Sequence, residues 1–252
     1  MKLRDYQLEA IRKMKTGCIL NGGVGSGKSL TSLSYYYMQN GGSEIFLTGG
    51  KHKKMKDPKD LYIITTARKR DTMEWEGELS HFLLSTNPDT SAYKNKVIVD
   101  SWNNVKKYKE VKGAFFIFDE QRVVGSGEWV KSFLKIAKSN EWILLSATPG
   151  DTWSDYIPVF IANGFYKNKT EFLREHAVFA RYSKFPKIEK WMGSGKLNRY
   201  RRMILVDMKF QRKTEQHHED VYVDYDIATY KDVMKSRWDI YKQEPIVNAG
   251  GL

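Results

Sequence analysis

The sequence has one cysteine, no long apolar run and fewer acidic than basic residues, and these shortages limit the kinds of protein that it can encode. Cys18 is alone among 252 residues and cannot form an internal disulfide, so we expect it to be a small core residue. No run of ~18 apolar residues is present, which argues against a membrane-spanning helix. The N-terminal stretch MKLRDYQLEAIRKMK is charged throughout and has no apolar signal-peptide segment.

The charge balance is strongly positive. Lysine and arginine number 42 against 30 aspartates and glutamates, a formal net charge of +12. The electrostatic field of this positive charge attracts polyanions, including nucleic acid, acidic lipid and nucleotide. The charge alone does not indicate which of them binds. The 41% of hydrophobic residues is enough to build a sizeable core, so the chain is expected to be globular.

Short apolar runs alternate with amphipathic stretches along the first 150 residues. Strands are predicted in GCILNGG, LYIITTA, KVIVDSW, AFFIFDE and EWILLSATP, and helices in YQLEAIRKM, KSLTSLSYYYMQN and TMEWEGELSHFLL. The last of these helices is predicted to bury Met73, Leu79 and Phe82. Continuous apolar strands that are each followed by a helix predict a mostly parallel sheet with helices on both faces, an α/β fold.

The pattern is less regular in two places. Residues 41–60, rich in glycine and lysine, are predicted to form a surface loop or small hairpin that faces water. After residue 150 the periodicity weakens, and the stretch DIATYKDVMKSRWDIYKQ is predicted to be a further helix.

The stretch GGVGSGKS follows an apolar strand and opens a helix, and it fits the pattern G-x-x-x-x-G-K-S/T. In that context glycines let backbone N–H groups lie directly against phosphates, and the helix N-terminus favours anions. Lys28 is predicted to add a charge at the outer phosphates and to act in catalysis, and the Ser29 hydroxyl to bind Mg²⁺. The backbone cradle is expected to consist of Gly22, Gly23, Val24, Gly25, Ser26 and Gly27.

Two further strand ends carry polar side chains. Asp119 and Glu120 end the run AFFIF, where one carboxylate can hold Mg²⁺ and the second can orient and deprotonate water, so the pair favours hydrolysis. Ser146 and Thr148 follow the run EWILL, where their hydroxyls can hydrogen-bond the attacking water or the carboxylates and so sense the γ-phosphate. Thr148 is also predicted to act in catalysis. A capped turn before a helix is the alternative for that segment.

The order of these segments resembles the first RecA-like domain of superfamily 2 helicases and translocases. The segment DEQR is neither D-E-A-D nor D-E-x-H, and is closer in style to the Swi/Snf-like and phage-encoded DNA helicases. The stretch LRDYQ resembles the Q-motif, which implies that Gln7 reads the adenine edge. The resemblance further implies that Gln121, Arg122, Ser146 and Thr148 couple the nucleotide to motion.

TTARKRDTMEWEGEL and VIVDSWNNV resemble motifs Ia and Ib of that superfamily. The resemblance therefore implies that Thr66, Arg68, Lys69 and Ser101 contact the nucleic-acid backbone. For Arg68 to Arg70 a plain surface charge cluster is the alternative.

The resemblance also implies a domain plan. A RecA-like ATP-binding domain is expected over residues 1–208, a connector over 209–225, and the incomplete start of a second RecA-like domain over 226–252. The arginine motif Q-x-x-G-R-x-x-R of the second domain is not found in the sequence. The missing domain is therefore expected from the same or another chain, and the isolated chain is expected to hydrolyse ATP slowly and not to unwind or translocate alone.

The implied function is that of an ATP-dependent DNA helicase or translocase, with ATP and Mg²⁺ as cofactors and no membrane partner. DNA, single- or double-stranded, is the expected polymer, and RNA is the less favoured one. The expected location is the cytoplasm, that of the host if the chain is phage-encoded. Two alternatives stay open: a viral DNA-packaging ATPase of the terminase type, and an ATP-gated DNA-binding module without useful turnover.

Overall fold

A parallel sheet of six strands forms the centre of the fold. The computed structural model describes residues 1–119, 123–181, 185–210, 224, 226–239 and 243–245. The sheet contains β1 (Ile19–Asn21), β2 (Leu61–Thr65), β3 (Val97–Ser101), β4 (Phe115–Phe118), β5 (Glu141–Ser146) and β8 (Leu205–Asp207). Its strand order is β3-β2-β4-β5-β1-β8, with every pairing parallel. The α/β fold expected from the sequence is thereby confirmed.

The strands are continuous apolar runs because both faces of the sheet are covered. All five residues of β2 and all four of β4 are buried. Neighbouring residues of a strand point to opposite faces, so Ile63 and Ile117 join one hydrophobic cluster while Ile64 and Phe118 join the other.

Helices cover both faces of this sheet. They are α1 (Asp5–Lys13), α2 (Lys28–Gln39), α3 (Glu44–Leu47), α4 (Ala67–Asp71), α5 (Glu74–Ser80), a 3₁₀ helix (Trp102–Tyr108), α6 (Glu128–Ala137), α7 (Trp153–Ala162), α8 (Lys169–His176) and α9 (Ser194–Ile204). Helices α1, α2 and α5 supply one cluster through Ala10, Tyr36 and Leu79. The other cluster contains residues of α6 and α7, including Phe133 and Phe160. A separate hairpin pairs β6 (Ala177–Phe179) with β7 (Ile188–Trp191).

The segment between α2 and β2 is not the solvated loop that its lysines predicted. It contains α3, and three of its apolar side chains, Phe46, Leu47 and Met55, are at most 7% exposed. The Tyr37 hydroxyl of α2 donates a hydrogen bond to the Lys53 carbonyl at 2.7 Å. The apolar residues decided the outcome, because their side chains pack inward while the lysines of the segment keep their charges exposed to water.

The predicted apolar face of the helix after β2 is wrong at Met73. Helix α4 ends at Asp71, and Met73 sits before α5 with φ of 55° and a side chain 62% exposed. Leu79 and Phe82 are buried as predicted, with Phe82 just beyond α5, and Trp75 is the further inward residue of this helix. The helix predicted in TMEWEGELSHFLL begins only at Glu74 and ends at Ser80, so Met73 precedes it.

The chain divides into two compact units, Met1–Gln211 and Arg212–Leu252. In the second unit, α10 (Ile227–Ser236) begins where the Asp226 carboxylate accepts hydrogen bonds from the Ala228 and Thr229 amides. It ends at Ser236, with Arg237 as its C-cap, so the predicted helix up to residue 243 is too long. Strands β9 (Trp238–Asp239) and β10 (Glu244–Pro245) then pair antiparallel. The predicted connector, 209–225, lies mostly outside the described residues, and both it and the incomplete second domain stay predictions.

None of the helices in the described part of the chain is long and apolar enough to cross a lipid bilayer. Cys18 is fully buried in one of the two hydrophobic clusters, and burial raises the pKa of its thiol to about 11. The thiol therefore stays protonated and unreactive at neutral pH.

Candidate nucleotide site

The carboxyl ends of neighbouring strands bring the predicted segments to one edge of the sheet. Asn21 at the end of β1 is in register with Ser146 at the end of β5, and the Gly22 amide donates to the Ser146 carbonyl at 3.1 Å. On the next strands, the Asp119 amide donates to the Ile64 carbonyl at 2.7 Å. In open parallel α/β sheets, ligands bind at this edge.

The glycine-rich loop turns into α2 through a left-handed residue. Gly27 is the N-cap of α2 with φ of 79°, a conformation that costs other L-residues about 1–2 kcal/mol. A Cβ at Gly27 would also lie 2.8 Å from Nε2 of Gln7. Beside Gly23 and Gly25 a Cβ would meet nothing within 4 Å, so the outer part of the loop borders open space.

Lys28 turns its ammonium back onto this loop. Its Nζ donates to the Gly22 carbonyl at 2.6 Å and to the Gly23 carbonyl at 3.0 Å. Ser29 follows in the first turn of α2, half-buried, while Val24 at the outer part of the loop is 71% exposed. A cation is thus held within the turn where phosphates were predicted to bind.

Gln7 connects α1 to the loop and is only 5% exposed. Its amide oxygen accepts from the Arg4 N–H at 3.0 Å, and its Nε2 donates to the Thr31 hydroxyl at 3.1 Å. The neighbouring Tyr6 hydroxyl donates to the Ser26 carbonyl at 3.0 Å. Tyr6 and Thr31 were missed by the sequence reasoning, although Tyr6 stands beside Gln7 in the quoted motif. The adenine role of Gln7 stays a prediction.

Asp119 directly follows β4, and its side chain is 1% exposed. Its Oδ2 accepts from the Thr65 hydroxyl at 2.8 Å and from Lys69 Nζ at 3.1 Å. The Trp102 indole N–H donates to the Asp119 carbonyl at 3.0 Å. The other residues of the predicted acidic and coupling segment, Glu120, Gln121 and Arg122, lie outside the described residues.

Ser146 and Thr148 form a turn at the end of β5. The Ser146 side chain is buried, and its Oγ accepts a hydrogen bond from the Thr148 N–H at 3.1 Å. Thr148 itself is exposed on the same edge of the sheet. This geometry is that of a capped turn, the alternative that the sequence left open for this segment.

The four residues predicted to contact nucleic acid lie around the ends of β2 and β3. Thr66 caps α4 by accepting from the Lys69 N–H at 3.3 Å, and Ser101 is 2% exposed. The Ser101 hydroxyl accepts from Arg70 Nη1 at 3.3 Å. Of the four, Arg68 alone is in the exposed class, and their nucleic-acid role stays a prediction.

Asp100 joins three elements beside this group. Although burial raises its pKa, hydrogen bonds to its carboxylate from Asn104, Tyr108, the Ser101 N–H and Arg70 together lower the pKa of Asp100 below its ordinary value. The Tyr108 hydroxyl donates to Oδ2 at 2.6 Å and Arg70 Nη1 to Oδ1 at 3.2 Å. Asp100 therefore stays ionised and holds Arg70 in place.

The donor set of this edge fits Mg²⁺ and a nucleotide phosphate. Among the described residues, histidines, cysteines and carboxylates form no group of three or more that could hold a metal on its own. Mg²⁺ prefers one or two protein oxygens together with phosphate and water, which matches the Asp119 carboxylate and the Ser29 hydroxyl. The Ser26 hydroxyl is buried in the loop and makes no hydrogen bond with a described residue, so it also offers an oxygen there.

No protein-family model and no curated protein matches the sequence. The structure is similar to the SWI2/SNF2 ATPase core of Sulfolobus solfataricus in complex with double-stranded DNA, with a TM-score of 0.57, 17% identity, and coverage of 81% of this chain and 44% of that one. The same organism's SWI2/SNF2 ATPase core domain has a TM-score of 0.50 at 17% identity, with 81% and 43% covered.

The Hef helicase domain of Pyrococcus furiosus has a TM-score of 0.42 at 17% identity, with coverage of 71% of this chain and 41% of that one. The chain thus spans less than half the length of each of these three structures. At 17% identity, the structural similarity is evidence for a shared fold and for nothing more. The chain has a RecA-like α/β fold, which it shares with the two Sulfolobus solfataricus structures.

Proposed function

We propose that this chain is the nucleotide-binding domain of an ATP-dependent DNA helicase or translocase. One observation carries the proposal. A glycine-rich loop with Lys28, a buried carboxylate at Asp119 and the hydroxyl turn of Ser146 and Thr148 meet at the carboxyl edge of adjacent parallel strands. The set provides a cation, a carboxylate and hydroxyl groups, which are the groups that phosphoanhydride hydrolysis requires.

In this proposal each residue has one task. Backbone N–H groups of residues 23–28 bind phosphate oxygens, and the Lys28 ammonium exchanges the carbonyls of Gly22 and Gly23 for those oxygens. Ser29 and Asp119 provide oxygen ligands for Mg²⁺, and Glu120 orients the attacking water. When bound, Mg²⁺–ATP supplies the bond that is cleaved and a dication that withdraws charge from the phosphate oxygens.

DNA is the proposed polymer. The net charge of +12 provides the attraction that phosphate backbones require. Arg68 is exposed in α4 beside the nucleotide site, in a segment that resembles a nucleic-acid motif. One structure of similar fold, the Sulfolobus SWI2/SNF2 core, is a complex with double-stranded DNA.

We further propose that turnover by this chain alone is slow. An arginine that reaches the γ-phosphate is worth ~10³–10⁵ in rate in related chemistry, and the sequence contains no Q-x-x-G-R-x-x-R segment. Such an arginine would come from a second RecA-like domain, in this or another polypeptide.

The test is binding of a fluorescent ATP analogue with Mg²⁺, together with ATP hydrolysis measured without DNA, with single-stranded DNA and with duplex DNA. Lys28→Ala is expected to weaken nucleotide binding about tenfold or more, because a charged hydrogen bond to phosphate is lost. Lys138→Ala serves as the matched control. It removes the same charge at the amino ends of the strands, just before β5 begins.

Equal nucleotide affinity for Lys28→Ala and Lys138→Ala would contradict the proposed site. Nucleotide binding with near-background turnover is the expected result for the isolated chain. Rapid DNA-stimulated hydrolysis that depends on Lys28 would show that the slow-turnover proposal is wrong. A nucleotide-dependent change in DNA affinity without turnover in any larger assembly would favour the ATP-gated binding module instead.

A further inference from the structure

The three consecutive basic residues of α4 have three different environments. Arg68 is exposed and forms no ion pair with a described residue. Arg70 is anchored by Asp71 at 2.8 Å and by Asp100 at 3.2 Å. Lys69 turns inward and reaches Asp119, the carboxylate proposed to hold Mg²⁺. A plain surface charge cluster would leave all three in water, so the position of Lys69 needs its own explanation.

The Lys69–Asp119 pair is shielded from solvent. The two side chains are 20% and 1% exposed, and Nζ lies 3.1 Å from Oδ2. The same oxygen accepts from the Thr65 hydroxyl at 2.8 Å. A buried carboxylate requires a cation or hydrogen-bond donors, and Lys69 supplies that charge in this structure. A Mg²⁺ ion at Asp119 would share this carboxylate with the ammonium, and the two cations would repel each other.

Lys69 is also one residue from the surface predicted to meet DNA. Helix α4 is only five residues long, its N-cap Thr66 bonds to the Lys69 N–H, and Arg68 projects into solvent from the preceding position. A lysine has a flexible stem of four carbons and a compact charge. A phosphate bound at Arg68 would thus present an alternative anion to Lys69 at short range.

On these grounds, and resting on the proposed function, we infer that Lys69 is a positioning residue that links DNA binding to the metal site. Without DNA, its ammonium occupies Asp119 and opposes Mg²⁺. A DNA phosphate bound at α4 attracts the ammonium and leaves Asp119 available as a metal ligand. DNA and Mg²⁺–nucleotide then strengthen each other's binding, and because binding linkage is reciprocal, by the same factor.

A purely structural role for Lys69 makes a different prediction. If the pair only stabilised α4 against β4, loss of the charge would lower stability and weaken both ligands without changing their coupling. The coupling factor therefore separates the two roles, and it does not depend on turnover.

The experiment measures the affinity for a fluorescent non-hydrolysable ATP analogue with Mg²⁺, with and without saturating duplex DNA. For the wild type we expect DNA to tighten nucleotide binding about tenfold, within the usual range of coupling between sites. Lys69→Met keeps the aliphatic stem and removes the charge. It should bind Mg²⁺–nucleotide tightly without DNA and lose the coupling, with the factor falling to about one.

Two further variants control for charge and position. Lys69→Arg keeps the cation and should retain most of the coupling. Lys138→Met makes the same chemical change at the other edge of the sheet and should behave like the wild type. Omitting Mg²⁺ should abolish the effect of DNA in the wild type, because the ammonium acts on the metal ion at Asp119.

Coupling that persists in Lys69→Met would overturn the inference. If that variant fails to fold, the reciprocal measurement on the wild type decides: Mg²⁺–nucleotide must tighten duplex binding by the factor found above, and no change in DNA affinity would overturn the inference. Failure of the proposed function looks different, because the wild type would then show no Lys28-dependent nucleotide binding at all.

Discussion

At the scale of single residues, Gly27 is a position where the absence of a side chain matters. It opens α2 with φ of 79°, and a Cβ there would lie 2.8 Å from the Gln7 amide nitrogen. Gln7 in turn donates to Thr31. A side chain at residue 27 would thus strain the backbone and displace the link between α1 and α2.

We expect Gly27→Ala to lower the free energy of unfolding by about 1–2 kcal/mol, the cost of a left-handed L-residue, and more if Gln7 cannot move. Urea denaturation measures this value. Gly23→Ala is the matched control for stability, because a Cβ at Gly23 meets nothing within 4 Å, and it should change stability by less than about 0.5 kcal/mol. Equal losses for the two variants would show that the strain at Gly27 is not the cause.

At the scale of elements, one carboxylate holds three pieces of the chain together. Asp100 at the end of β3 accepts hydrogen bonds from Tyr108 and Asn104 of the 3₁₀ helix and from Arg70 of α4. These contacts fix α4 against the sheet beside the proposed nucleotide site, and they depend on the negative charge of Asp100.

The pKa of Asp100 is lowered in the folded chain from its ordinary value of 3.8. Its charge therefore stabilises the fold fully above that value, and this contribution is lost as the pH falls through the lowered folded-state pKa. We expect Asp100→Asn to cost about 1–3 kcal/mol at neutral pH, with a smaller difference from the wild type at acidic pH. Urea denaturation of both proteins over a pH series measures the difference, and a difference that stays constant with pH would contradict this account.

At the scale of the whole molecule, the excess of positive charge governs how a polyanion approaches. A net charge of +12 favours nucleic acid in general, and it does not distinguish a specific contact from a diffuse attraction. Specific contacts are separated from the diffuse field by their effect on the salt dependence of binding, since each phosphate neutralised releases counterions.

If Arg68 binds a DNA phosphate, Arg68→Ala should reduce the slope of log affinity against log salt by about one. Lys138→Ala changes the net charge equally at the opposite edge of the sheet, and it should leave the slope nearly unchanged. Fluorescence anisotropy with a labelled duplex at several salt concentrations measures both slopes. The same slope for both variants would assign the binding to the overall charge rather than to α4.

Two segments differ from their predicted burial for the same reason. Met73 stands in an apolar periodic stretch, yet it is 62% exposed because α4 and α5 break apart there. Phe46 and Leu47 stand in a glycine- and lysine-rich stretch, yet they are buried against α2 and its neighbours. Local composition describes a segment's average preference, whereas burial depends on which other segments lie opposite it.

The sequence by itself determined the local chemistry of this protein. The loop from Gly22 to Ser29, Asp119 after an apolar strand, and the alternation of strands and helices follow from patterns within short segments, because backbone geometry and periodicity act locally. The tertiary structure alone decided the strand order β3-β2-β4-β5-β1-β8 and the contact of Lys69 with Asp119, 50 positions away. Such pairs depend on the packing of distant segments on one sheet, which no local pattern encodes.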